Sequence, residues 1–472
     1  LKGRLYVPSP CAKEIFDFPH VINNGRWYSQ YPPGFPALLS IGHIFKAPWI
    51  INTLFAALTI ILIFFLGIEL FDEKVAFLAS LLASLSYWFL ILSSTMLSHI
   101  THLFFCTLFL LFYIRFLKHP GRQNSLLAGF GFFVALLIRP YESVLFAIPP
   151  AIYLLFLMFK ESKKYLKAAL LMAFIAAISL AALLAYNYGT TGYPLKMGYI
   201  EKYGPEHGLG FGRKGYTDTP HTFLRGADLT AAHFYQLHLH LFGWPISSLL
   251  GILLYVFYFA KNYKNRERGN PEALLLFMII STVFGLFIYW GLSPILGARM
   301  YFQLFSILVL LTAAGIVEFI RASHFSRVLK LNRRSVQVAL LVIFTIYAYA
   351  IRLPSFARQS PEAYIVDLIY PDFLSFNKRF DETIKTLNID NAVVLLRPLY
   401  MANKYFPDTG WTAGFTQNDP YLKQSLVYGL YKPQYLEKLF GCYPDKKVYL
   451  FLYTTKKAML HEVKLKNGQI SF

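Results

Sequence analysis

Arg139 and Arg299 each sit between long apolar runs, the first in Arg139-Pro-Tyr-Glu142 and the second in Gly297-Ala-Arg-Met-Tyr301. A guanidinium offers a planar fork of donors that matches the oxygens of a phosphate. Two isolated arginines beside a proline or glycine turn therefore read as an anion site, against the plainer reading of side chains snorkelling toward lipid headgroups. His99 and His102, spaced i and i+3, would share one helix face and could touch a phosphate, a hydroxyl or a metal. No third ligand stands at a convincing spacing, so no metal site is assigned; a divalent ion is unsupported and the sequence requires no cofactor.

Tyr31-Pro-Pro-Gly-Phe-Pro36 cannot continue a helix and forces a rigid turn ahead of an apolar run. Trp27, Tyr28, Tyr31 and Phe35 suit a membrane interface. Tyr31 and Tyr301 join His99 and His102 as cavity or acceptor-side positions. A long stretch, Asn187–Pro245, is rich in Gly, Tyr and His, and loops of that length usually carry function. It supplies Glu206, Asp218 and Asp228 as acid–base candidates. His233, Gln236 and His240 share one face of an expected interfacial helix. Walker A, dinucleotide, zinc-protease and nucleophile-elbow motifs are all missing from the sequence.

The elements that hold these residues follow from composition. Of 472 residues, 56% are hydrophobic and 15% charged, so most of the chain cannot be an ordinary soluble domain. Apolar runs recur from Phe45 to Arg352, and the bilayer is their solvent. The expected crossings, about ten, are Trp49–Leu70, Val75–Ser93, His99–Leu117, Leu126–Ile138, Ser143–Phe159, Leu166–Tyr186, Ile246–Ala260, Ala273–Leu292, Phe302–Ile320 and Val336–Ile351. The formal charge of +20 collects in alternate connectors, at Lys118 and Arg122, Lys160–Lys167, Lys261–Arg268 and Arg321–Arg334. That is a topology signal and no sign of nucleic acid. It requires two crossings between Lys118 and Lys160, with Arg139 and Glu142 at an outer tip. Leu1–Pro48, Asn187–Pro245 and Leu353–Phe472 then lie on the non-cytoplasmic side.

The last segment reads as a small α/β domain. Phe373–Leu387 has helical periodicity, Ala392–Leu396 and Val448–Tyr453 are β-rich, and Gly410, Gly414 and Asn418-Asp-Pro420 mark turns. Three divisions result: residues 1–48 as an outer loop with interfacial segments, 49–352 as the helical membrane domain, and 353–472 as the extracytoplasmic domain. Cys11 and Cys442 fall on the same side, where a disulfide is allowed but not demanded; Cys106 lies inside a span.

The order Gly3-Arg-Leu-Tyr6, Tyr31-Pro-Pro-Gly-Phe-Pro36, Arg139-Pro140 and Gly297-Ala-Arg-Met-Tyr301 resembles bacterial membrane glycosyltransferases of the GT-C superfamily. Relatives there include protein O-mannosyltransferases and lipid A aminoarabinose transferases. The resemblance covers residues 1–350 and implies a polytopic α-helical fold in the inner membrane. It implies a sugar donor carried on a polyprenyl phosphate, and an acceptor that is a glycan, lipid or protein of the envelope. Transfer by inverting displacement would leave a phosphate for Arg139 and Arg299 to stabilise. The family's catalytic acid follows its first helix and precedes the Gly-x-x-Tyr stretch, so the resemblance puts helix and acid upstream of Leu1. Asp17, Glu142 and Glu206 are the acid candidates within these residues; Asp17 and its neighbour Glu14 do not match the motif. A lipid or polysaccharide transporter and an envelope assembly scaffold are the alternatives, the first needing a polar path through the spans that the sequence does not offer.

Overall fold

The computed structural model describes residues 3–18, 20–215, 219–262, 271–291, 296–322, 333–354, 383–398, 417–453, 458–466 and 469–471. A three-stranded antiparallel sheet opens the chain, with β1 (Val7–Pro8), β2 (Val21–Asn23) and β3 (Arg26–Ser29) in the order β1-β3-β2. The prolines then start α1 (Gly34–Ile44) at Pro33. The membrane domain follows as α2 (Ile50–Leu70), α3 (Glu73–Leu85), α4 (Tyr87–Ser94), α5 (His99–Lys118), α6 (Arg122–Ile138), α7 (Pro140–Lys160) and α8 (Ser162–Thr191). After α9 (Gly198–Tyr203) and α10 (Phe223–His240) come α11 (Leu250–Asn262), α12 (Pro271–Phe287), a 3₁₀ turn at Arg299–Leu304 and α13 (Phe305–Ala322). A helix at Arg333–Tyr347 closes the set.

Helix falls at every expected crossing, but the lengths differ from expectation. Among the described residues, five helices are long and apolar enough to cross alone, and a sixth crossing needs α3 and α4 together, bent by 58°. The bend falls at Ser86, whose hydroxyl caps Phe89 and donates to the Leu241 carbonyl at 2.7 Å. α6 has 17 residues and lies among its neighbours: a Cβ on Gly131 would sit 2.6 Å from the Phe109 nitrogen, and one on Gly129 2.6 Å from Ile175. Small residues let this short helix pack backbone to backbone. α8 runs beyond its expected end at Tyr186, so the loop expected from Asn187 begins as helix. Leu166, Leu170, Phe174 and Ile178 leave an exposed apolar stripe along α8 at helical spacing, which suits a lipid-facing surface.

Charge sorts the two ends of the helices. Glu69 accepts from Arg115 at 2.8 Å and from Lys118 at 2.9 Å. Asp72, which caps α3, takes Arg321 at 2.5 Å. Three connectors therefore meet at one end. Ser98, Arg139 and Met300 meet at the other.

The carboxy-terminal domain is a mixed sheet in the order β5-β4-β6-β7-β8. β4 (Ala392–Pro398) runs parallel to β5 (Leu426–Leu430) and β6 (Lys447–Tyr453); β7 (Ala458–Lys466) and β8 (Gln469–Ser471) continue antiparallel. The two expected β-rich runs are thus adjacent strands. Most of Phe373–Leu387, and Gly410 and Gly414, lie outside the described residues; Asp419 makes the expected turn by accepting from the Tyr421 and Lys423 amides.

Residues 1–48 do not form the separate loop expected of them. Ala12, Ile15, Phe16, Phe18 and Trp27 are buried in the same apolar core as Val393, Leu395, Val427 and Phe451. The Leu430 amide donates to the Ile15 carbonyl at 2.9 Å, and Lys438 pairs with Glu14 at 3.0 Å. Cys11 is disulfide-bonded to Cys442, with Cα atoms 5.9 Å apart. The apolar residues of this segment are core residues of the carboxy-terminal domain, Trp27 among them, which the sequence reading gave to a membrane interface.

Candidate functional site

Arg139 is the single residue between α6 and α7. A residue before proline is pushed out of the helical region, and Arg139 accordingly has φ −142° and ψ 85°. Pro140 takes the first helical position, where its missing amide costs nothing. The backbone of Arg139 still bonds to both helices, through Ala135 and Ser143, so the turn is rigid. Its Nε donates to Glu142 Oε1 at 2.9 Å, Nη2 reaches the same oxygen, and Nη1 lies 3.4 Å from the Ser98 hydroxyl. Glu142 is buried, and its carboxylate fixes the guanidinium in place.

Tyr31-Pro-Pro-Gly-Phe-Pro36 presses against this turn. A Cβ on Gly34 would lie 2.7 Å from the Leu137 carbonyl carbon and 2.8 Å from the Ile138 nitrogen, immediately before Arg139. Only glycine permits that approach. Gly34→Ala is expected to cost about 1–3 kcal/mol through overpacking and to lower turnover by displacing Arg139. Thermal melting and initial rate check this together; an unchanged melting temperature would show that the contact is dispensable.

Arg299 follows a left-handed turn in which Leu296 and Gly297 have φ of 59° and 75°. Trp88 locks it: its indole donates to the Leu296 carbonyl at 2.8 Å and its ring meets Phe302 edge-on at 4.9 Å. Arg139 and Arg299, distant in sequence, both act electrostatically on Tyr31, His99 and Tyr289. Protein surrounds Tyr31 closely enough for desolvation to raise its pKa, yet 41% of the residue remains exposed.

Four expected positions, Tyr31, His99, Arg139 and Arg299, therefore converge with Glu142. The others do not stand free beside them. His102 points into the bundle, with Nε2 2.8 Å from the Ser143 hydroxyl and 3.5 Å from the Cys106 sulfur. Tyr301 is buried against His233 at 5.4 Å between ring centres. Asp17 pairs with Lys202 at 2.7 Å. Glu206 is exposed on a 3₁₀ turn, where it accepts from the Lys214 amide. Asp228 is exposed on α10 and Asp218 lies outside the described residues. His233, Gln236 and His240 do share a face of α10, but it turns inward, leaving Phe223 and Leu224 exposed. Among the described residues, no three His, Cys, Asp or Glu side chains gather to hold a metal ion.

Sequence reasoning missed His20, Gln30, Tyr199, Lys202 and Tyr289. His20 Nδ1 lies 2.9 Å from Gln30 Nε2 and 3.0 Å from the Tyr31 hydroxyl. Tyr199 meets Tyr31 edge-on at 5.7 Å, and Tyr289 packs on Tyr141 at 5.8 Å. One signal was available: Gly198, which seats α9 directly on the Gln30 backbone, marks a close approach.

Residues 32–181 match the family described as dolichyl-phosphate-mannose-protein mannosyltransferase. The chain is similar in fold to the oligosaccharyltransferase of Archaeoglobus fulgidus solved with zinc and sulfate, with a TM-score of 0.51 and 16% identity over 95% of this chain and 61% of that one. A structure of archaeal oligosaccharyltransferase AglB from the same organism, in complex with an inhibitory peptide and a dolichol-phosphate, aligns with a TM-score of 0.48 and 16% identity, covering 95% of this chain and 63% of that one. The chain thus spans about three fifths of the length of these structures. No curated protein matches it in sequence.

Proposed function

We propose that this chain, a membrane protein of the GT-C glycosyltransferase superfamily, transfers a sugar from a polyprenyl-phosphate donor to an envelope acceptor. The observation that carries the proposal is that Arg139 meets the Arg299 turn at one end of the helices: its Nη2 lies 3.6 Å from the Met300 sulfur and its Nη1 3.4 Å from the Ser98 hydroxyl, beside His99. Basic connectors occupy the opposite end, and by the positive-inside rule this supports a site on the non-cytoplasmic face of the membrane.

The chemistry asked of these residues is electrostatic. As the acceptor hydroxyl oxygen bonds to the anomeric carbon and gives up its proton to solvent, the bond to the donor phosphate breaks and its electron pair stays on the phosphate. Negative charge grows on that oxygen, and fixed guanidinium groups stabilise it without reorganising. Glu142 neutralises Arg139 in the resting site and keeps its fork oriented, so a phosphate would be held without piling two bare cations together. Tyr31, Tyr199 and Tyr289 supply aromatic walls.

The full-length protein in proteoliposomes, given polyprenyl-phosphate sugars radiolabelled in the sugar and a membrane extract as acceptor, should move label into the extract and release polyprenyl phosphate. Movement of intact lipid across the bilayer with no sugar transfer would replace this reading with a transporter.

A further inference from the structure

We propose that His20 is a further catalytic residue: it donates a hydrogen bond from Nε2–H to the phosphate of the polyprenyl donor. The inference rests on the function proposed above and deepens it. His20 has φ +67°, a left-handed conformation that a residue carrying an imidazole adopts at a cost. The surrounding strands impose it. Val21 pairs with Ser29 across β2 and β3, and the Gln30 amide donates to the His20 carbonyl at 3.1 Å.

The same pairing fixes the ring. The Gln30 side chain is 2% exposed, and its Nε2 donates to His20 Nδ1 at 2.9 Å. An amide nitrogen can only donate, so Nδ1 holds the lone pair and the proton sits on Nε2. The ring lies against Tyr31 with centroids 5.7 Å apart and planes 27° apart. His20 is an exposed residue with its Nδ1 edge occupied, so the open edge carries Nε2–H, which has no partner among the described residues. Desolvation by surrounding protein, then the charges of Lys202 and Arg299, hold the imidazole pKa below its usual value, so the ring is neutral at neutral pH. A neutral N–H on a ring held against Tyr31, 3.0 Å from its hydroxyl, adds a directional donor to the proposed phosphate site without further positive charge. It forms no covalent bond, and its proton stays on nitrogen.

The test separates donation from mere support of Tyr31. Asn tolerates left-handed backbone and keeps an acceptor where Nδ1 stands, but it has no group at Nε2. Gln reaches toward the Nε2 position. Farnesyl phosphate binding to the full-length protein in detergent is followed by tryptophan fluorescence, alongside initial transfer rates and melting temperatures. His20→Asn should weaken binding about tenfold, as expected for one hydrogen bond to a charged oxygen, and His20→Gln should recover part of it. Wild-type affinity and rate in His20→Asn would assign His20 to the support of Tyr31 and overturn the proposal. Wild-type protein that binds farnesyl phosphate but transfers no sugar would sink the proposed function while the affinities still report on His20; wild-type protein that does not bind it would sink both.

Discussion

Arg299→Ala is expected to lower the rate of the proposed transfer by about one to two orders of magnitude, and Arg299→Lys to restore only part of the loss. A charge-assisted hydrogen bond contributes roughly 1.5–3 kcal/mol, and each 1.4 kcal/mol is about tenfold in rate. Lysine keeps the charge but presents it as a point instead of a fork. A snorkelling arginine would behave otherwise, since lysine would replace it almost fully. Arg139→Ala is a different experiment, because it strands Glu142 as a buried carboxylate without its partner. Removing one partner of a buried pair costs about 3–5 kcal/mol, so stability and rate would fall together. Arg139→Ala combined with Glu142→Ala removes that penalty and should melt near the wild-type temperature while remaining slow. Near wild-type rates in both Arg299→Ala and the double variant would remove the arginines from the mechanism.

Cys11→Ser opens the carboxy-terminal domain. The disulfide closes a sequence separation of 431 residues, for which the chain-entropy limit is about 6 kcal/mol. The helices between the two cysteines stay inserted when the domain opens, which shortens the effective loop, so about 2–4 kcal/mol is expected. Ala12, Ile15, Phe16 and Phe18 would then leave the core more often, and His20, Gln30 and Tyr31 follow them in the chain. Limited proteolysis should cut within residues 8–20 faster in Cys11→Ser, and transfer should slow several-fold in step. Reductant should reproduce both effects in the wild type and change nothing in the variant. Proteolysis at the wild-type rate in Cys11→Ser would show that apolar packing alone holds the two parts together.

Arg139 and Arg299 stand out in the sequence because charge is costly in a bilayer and contrasts with apolar runs. The membrane helices were legible for the same reason, in place more than in length. α6 was readable as a short span, whereas the bend at Ser86 depends on a carbonyl at Leu241 that no local pattern reveals. His20 was invisible because it is an ordinary residue in a polar segment; its meaning comes from Gln30 across a strand pair and from Arg299 in a distant turn. Trp27 reads as an interfacial residue yet lies in the core shared with the carboxy-terminal strands, because a membrane interface and a soluble core both ask for aromatic residues. The shared face of His233, Gln236 and His240 on α10 follows from helical spacing, but spacing alone does not say that this face is the buried one.

The shared core of the amino-terminal segment and the carboxy-terminal sheet also sets a timetable for biogenesis. Phe16 and Phe18 leave the ribosome long before Val448–Phe451, whose strand completes their packing. At about 5–20 residues per second, those phenylalanines wait roughly 20 to 90 seconds while every membrane helix is inserted. During that interval they are an apolar segment without its partner strands, open to aggregation and proteolysis. Slow codons or stalled insertion late in the message would thus be felt at these earlier-made residues, as aggregation or proteolysis of a segment synthesised without fault.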